Sequence, residues 1–109
     1  AACIAGLGSD LTHDLRGDEM ATGGGQLETP RNQLLIGVND PGNSVSGAVW
    51  NGWFRVVHRA NIVIESSATA KPGITEAIRT RVIGEAKFLR AWAYFELATL
   101  WGGVPLYTE

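Results

Sequence analysis

The stretch GEAKFLRAWAYFELATLWGGVPL, Gly84 to Leu106, decides how this chain is read. Its five aromatic side chains, Phe88, Trp92, Tyr94, Phe95 and Trp101, are too many for an exposed helix. Glu85, Lys87, Arg90 and Glu96 are too many charges for a membrane span. Gly102 and Gly103 supply the left-handed residue that ends a helix, and Pro105 prevents its continuation. Upstream, Thr75 is placed to cap free backbone N–H groups, so the spacing predicts a helix over 75–101, about 40 Å long. Its first turns are amphipathic, with Ile78, Val82, Ala86 and Leu89 on one face. From Phe88 onward the apolar positions cover nearly the whole circumference, which is the pattern of a helix surrounded by protein. A single partner helix cannot surround it, so packing partners are missing: either more chain or an associating molecule.

Working outward, Lys71, Pro72 and Gly73 break the helical pattern before Thr75. The residues preceding them predict a helix over 44–67, with Asn43 or Ser44 as its cap after the turn signal Asp40-Pro41-Gly42. In it Val45, Val49, Trp53, Val56, Val57, Ala60, Val63 and Ile64 recur at three and four, drawing one apolar stripe. Two long helices joined by a short turn lie antiparallel. The fold class expected is therefore all-α, a helical hairpin preceded by a long irregular excursion.

That excursion, 1–43, holds eight of the fourteen glycines and six acids against Arg16 and Arg31, and reads as loop. The apolar run Leu34 to Val38 within it fits either a strand or a helical turn. The chain as a whole is globular in composition, 45% hydrophobic and 18% charged, with a formal net charge of −2 that leaves no basic footprint for nucleic acid. Cys3 is the sole cysteine, so no internal disulfide forms, and only Ala1 and Ala2 precede it, too little for a lipoprotein signal.

Catalytic constellations are weak. His13 and Asp14 are neighbours in sequence rather than convergent groups, His58 lies within a helix, and Cys3 has no evident base. Gly23 to Gly25 lack the Gly-Lys-Ser/Thr of a phosphate loop. Asp10, Asp14 and Asp18 recur at four but lack the alternating pattern and central glycine of a calcium loop, so a solvated acidic face is the simpler reading. No enzyme, cofactor or metal site is expected.

The same stretch resembles the signature of the SusD/RagB family, a helix bearing G-E-A-x-F-L-R-A, an aromatic pair, a leucine and a small-residue turn into V-P-L. Gly84, Glu85, Ala86, Phe88, Leu89, Arg90, Ala91, Tyr94, Phe95, Leu97, Gly102, Val104, Pro105 and Leu106 occupy the positions of that pattern. WNGWFRVVHRANIVIE is similar to the family's preceding helix with its Ala-Asn pair, here Ala60 and Asn61, and Gly8 to Asp10 is similar to its loop entrance. Lys87 stands where Arg is commoner, and Trp101 where Phe is commoner.

The resemblance implies a fragment of the N-terminal half of a longer protein built on tetratricopeptide-like hairpins, with residues 1–109 forming a partial domain. Its parts would be the excursion 1–43, the helices 44–67 and 75–101, and an exit segment 102–109, the ending after Leu106 being an interruption of that longer chain. It implies a non-catalytic glycan- or nutrient-binding lipoprotein on the outer-membrane surface, delivering oligosaccharide to a SusC-type TonB-dependent transporter. Contact with the membrane would be only through a lipid anchor that these residues lack. A free-standing helical-repeat module for protein–protein interaction is the alternative.

Sugars are bound by stacking on flat aromatic faces and by planar polar groups, and the excursion from Gly8 to Asn43 contains no Trp, Tyr or Phe. The ligand-binding candidates are therefore Asp10, Thr12, Arg16, Asp18 and Asn32, for which loop solvation and turn capping is the competing reading. Of Trp50, Trp53, Trp92 and Trp101, all at helical spacing beside Val and Leu, Trp50 is the candidate to leave the core. Asn61 is disfavoured in a helix interior and is expected to make a buried hydrogen bond, as part of a polar clasp with Glu85 and Arg90.

Overall fold

The computed structural model describes residues 12–17, 20, 29–38, 40–69 and 72–108. Among them every regular element is helical: α1 over 12–16, α2 at Thr29–Leu35, α3 at Ser44–Ala68 and α4 at Glu76–Trp101. The chain divides into two compact units, Ala1–Gly52 and Trp53–Glu109, with the boundary inside α3.

The first unit departs from the expectation of an irregular excursion, because α1 and α2 stand within it. Leu34, in the run left open between strand and turn, is buried in the last turn of α2. The run ends there because Gly37, at a φ of 72°, takes the left-handed conformation, and Ile36 and Val38 are left exposed. The apolar spacing needed for α1 is short: Leu15 is buried, and a five-residue stretch among glycines and acids carries too little period to be read in advance.

In the second unit the part of α3 from Trp53 onward runs against α4. Ring and polar contacts pair Phe54 with Tyr94, Asn61 with Arg90 and Ala68 with Arg79, residue numbers falling on one helix as they rise on the other, which is an antiparallel hairpin. Trp53, Val57 and Ala60 of α3 are buried at helical spacing, as are Ala86, Ala93 and Leu97 of α4. Across the hairpin the Trp53 ring meets Trp92 and the Phe54 ring meets Tyr94 edge-on. α4 starts one residue later than its cap: Thr75 is extended, and its hydroxyl oxygen accepts from the Ile78 N–H at 3.4 Å. It stops at Gly102, whose φ of 77° only glycine adopts readily, and whose N–H donates to the Ala98 carbonyl at 2.8 Å. No helix among the described residues is long and apolar enough to cross a membrane.

Candidate functional site

Two polar constellations stand out, one in each unit. In the first, Asn43 is buried at the start of α3. Its carbonyl oxygen accepts from the backbone N–H groups of Val45 and Ser46, which makes it the helix cap. Its amide nitrogen donates to the Pro30 carbonyl at 2.7 Å and to Gln33 Oε1 at 2.9 Å, tying α2 to the same point. Asp40 closes the intervening turn by accepting from the Gly42 N–H at 2.7 Å. These side chains line a shallow polar recess with Thr29 and Ser44. Asn43 uses both donor hydrogens and its acceptor internally, so it builds the wall of that recess.

The ligand-binding candidates fall on separate elements. Thr12 and Arg16 are on α1, Asn32 is on α2 and Trp50 is on α3. Asp10 and Asp18 lie outside the described residues, as does Cys3. Arg16 is exposed, while Asn32 and Trp50 are half-buried. Thr12 is only 4% exposed, which is at odds with a solvated loop residue reaching a ligand, and it stands on α1 rather than in a loop. His13 and His58 are both exposed, and no group of three metal-ligating side chains occurs among the described residues.

The second constellation joins the hairpin to the exit segment. Asn61, 5% exposed, accepts from the Arg90 guanidinium at 2.8 Å and donates its amide to the Tyr107 carbonyl at 3.2 Å. Arg90 also donates to the Thr108 carbonyl. The Tyr94 hydroxyl closes the set, accepting from the Tyr107 N–H at 2.6 Å and donating to the Tyr107 carbonyl at 2.9 Å. Tyr107 and Tyr94 both pack edge-on against Phe54. The exit segment is thus strapped along the hairpin by side chains that stand in for a neighbouring strand.

Glu85, expected in this clasp, is elsewhere: it accepts from Arg81 at 2.8 Å on an exposed face of α4. Helix geometry explains the correction. Five residues turn a helix by about 140° from the Arg90 direction, whereas the four between Arg81 and Glu85 bring those two side chains together. The strap's partner backbone at Tyr107 and Thr108 was not legible in advance, because a carbonyl carries no sequence signal.

Outside both sets, Phe88, Trp92 and Phe95 form an exposed ridge on α4, with exposures of 67%, 44% and 67%. Phe88 meets Trp92, Trp92 meets Trp53, and the Trp92 indole donates to Glu96. Trp92, expected in the core, is therefore open in this chain. The ridge presents roughly 350 Å² of mainly apolar surface, worth about 9 kcal/mol if covered.

The family described as starch-binding and associating with the outer membrane, SusD-like, matches residues 23–109. The chain belongs to the SusD-like family. It is 33% identical over 78 residues to SusD-like protein P25 of Formosa agariphila, and 40% identical over 81 residues to SusD-like protein P38 of the same organism. Those matches cover 72% and 73% of this chain. A SusD-like protein of Bacteroides ovatus is 44% identical over 64 residues, 58% of this chain. The matched stretches amount to only 14%, 15% and 12% of the relatives' own lengths. No solved structure matches the chain. The SusD-like match takes in α2, the Asn43 recess, the hairpin and the strap, and leaves α1 outside it.

Proposed function

We propose that these residues are part of a non-catalytic SusD-like protein that binds glycan at the outer-membrane surface and passes oligosaccharide to a SusC-type TonB-dependent transporter. The observation that carries the reading is the unbroken family match over 23–109, which spans both polar constellations. Within that protein, residues 1–109 form a partial domain whose hairpin is one unit of a tetratricopeptide-like scaffold. The strap holds the exit segment to that unit, and the scaffold positions the ligand surface without chemistry of its own.

Asp10, Arg16, Asp18, Asn32 and Trp50 are the proposed glycan contacts. Thr12, being buried, acts by fixing α1. Sugar hydroxyls are recognised by planar and charged side chains of this kind, and Trp50 is the one Trp, Tyr or Phe in the first unit. Titration calorimetry of the full-length protein against a panel of soluble starch-type and other oligosaccharides tests the reading. Binding to at least one is expected, weakened about tenfold by Trp50→Ala; heatless titrations across the whole panel would sink it. Transporter delivery is tested separately, by co-purification of a TonB-dependent outer-membrane protein from the native host. The second reading, a helical-repeat module for protein–protein interaction, draws on the exposed Phe88, Trp92 and Phe95 ridge.

A further inference from the structure

We infer that the polar recess between α2 and the start of α3 is a subsite for one uncharged sugar residue, held through adjacent hydroxyls by Gln33, Asp40 and Ser44. None of these three is among the contacts proposed above. The inference rests on the glycan-binding reading and sharpens it, from glycan in general to neutral sugars against those bearing carboxylate or sulfate.

Gln33 and Asp40 are each divided into a structural half and a free half. Asp40 gives one carboxylate oxygen to the Gly42 N–H at 2.7 Å; among the described residues its other oxygen takes no hydrogen bond and its charge forms no ion pair. Gln33 Oε1 accepts from the Asn43 amide nitrogen, while the Asn43 oxygen is committed to the Val45 and Ser46 N–H groups. That network fixes how both amides face, and it leaves the Gln33 Nε2 hydrogens without an acceptor among the described residues. Ser44 is exposed beside them, and its hydroxyl has no partner among the described residues. The inner halves hold the recess in shape, so the outer halves meet a ligand already in place.

The free groups are a charged acceptor, a donor with two hydrogens and a hydroxyl that does either. A ligand serving all of them donates and accepts at neighbouring positions, as adjacent ring hydroxyls do: one donates to Asp40 and the next accepts from Gln33. An ammonium group serves Asp40 but not Gln33; an anion serves Gln33 and meets the Asp40 charge. The first-turn N–H groups of Val45 and Ser46 in α3, which could otherwise draw an anion, are already taken by Asn43. The recess holds about 250 Å³, below the usual size of a cleft for a drug-sized ligand, and so suits one ring rather than a length of chain.

The division between halves supplies the test, by titration calorimetry of the full-length protein. Asp40→Asn keeps the oxygen that Gly42 uses and Gln33→Glu keeps the oxygen that Asn43 uses, so each changes only the free half. The probes are the neutral oligosaccharide of the proposed panel that binds best, and an oligogalacturonide. Each substitution should weaken the neutral ligand by about tenfold with the melting temperature unchanged, and Ser44→Ala by about twofold. The parent should bind the oligogalacturonide at least tenfold more weakly than the neutral ligand, and Asp40→Asn should narrow that gap. Neutral-ligand affinity indifferent to both substitutions overturns the inference, as does a loss that only follows a lowered melting temperature. So does tighter binding of the oligogalacturonide than of every neutral member of the panel. A parent that binds nothing in the panel fails the proposed function and the inference with it, whereas binding that ignores both substitutions fails the inference alone.

Discussion

The two units solve the same problem, a buried asparagine, at opposite ranges of sequence. Asn43 satisfies its amide with groups between 2 and 13 residues away, so the helix start and the turn before it form together from local chain. Asn61 reaches Arg90 and Tyr107, 29 and 46 residues away, bonds that form only when the hairpin has closed and the exit segment has returned along it. The first arrangement organises a loop; the second reports tertiary structure. Losing the second takes a partner from a charged donor and from a backbone carbonyl at a part-buried site, whereas losing the first leaves a helix end that water can partly serve.

The sharpest way to break this comparison is to truncate both residues in the intact protein. Asn61→Ala removes the acceptor of a charged donor and the donor to Tyr107, and should cost about 3 kcal/mol in urea unfolding. Asn43→Ala should cost about 2 kcal/mol, the upper range for a helix cap, since two further ties go with it. If Asn43→Ala proves the costlier, the long-range strap is not the greater contributor. Asn43→Ser keeps a capping oxygen and should recover about half of the loss, which separates the cap from the ties to Pro30 and Gln33.

Thr75→Ala should cost only about 0.5 kcal/mol, because its bond to the Ile78 N–H is long and exposed; a change in melting temperature above a few degrees would contradict this. The smallest effect concerns Glu76, whose carboxyl is held below its ordinary value by the hydrogen bonds donated by Arg79 and by the nearby positive charge. A carboxyl lowered in the folded state stabilises at pH above its ordinary value, and that stability fades as pH falls through the lowered one. Glu76→Gln should therefore differ slightly from the parent at neutral pH and converge with it in acid, as urea midpoints across pH would show. The exposure of the pair keeps the difference small.

How much could be read from sequence follows the same division by range. The apolar stripe of α3 and the Thr75 cap with its Gly102 stop are periodic or local features, and they were legible to within a residue. The α1 and α2 segments were hidden because five to seven residues among glycines and acids are too short to establish a period. Asn61 was legible as an anomaly, a polar residue on an apolar helix, and Arg90 as a charge within an aromatic run. Their meeting agrees with the expected clasp, and Glu85's absence from it follows from a helical rotation that sequence proximity conceals.

For the ligand candidates, residue type proposed Asp10, Thr12, Arg16, Asp18, Asn32 and Trp50, and it carries no information on exposure. Thr12 shows the consequence, since a hydroxyl suited to a loop is buried on α1. The sequence by itself determined the two long helices, their ends and the family, because these depend on spacing along the chain. Only the tertiary structure decided that Tyr107 and Thr108 are the backbone the clasp grips, and that Phe88, Trp92 and Phe95 are exposed on the hairpin within residues 1–109. Backbone carbonyls look alike in every residue, and whether a ring is covered depends on what lies opposite it in space.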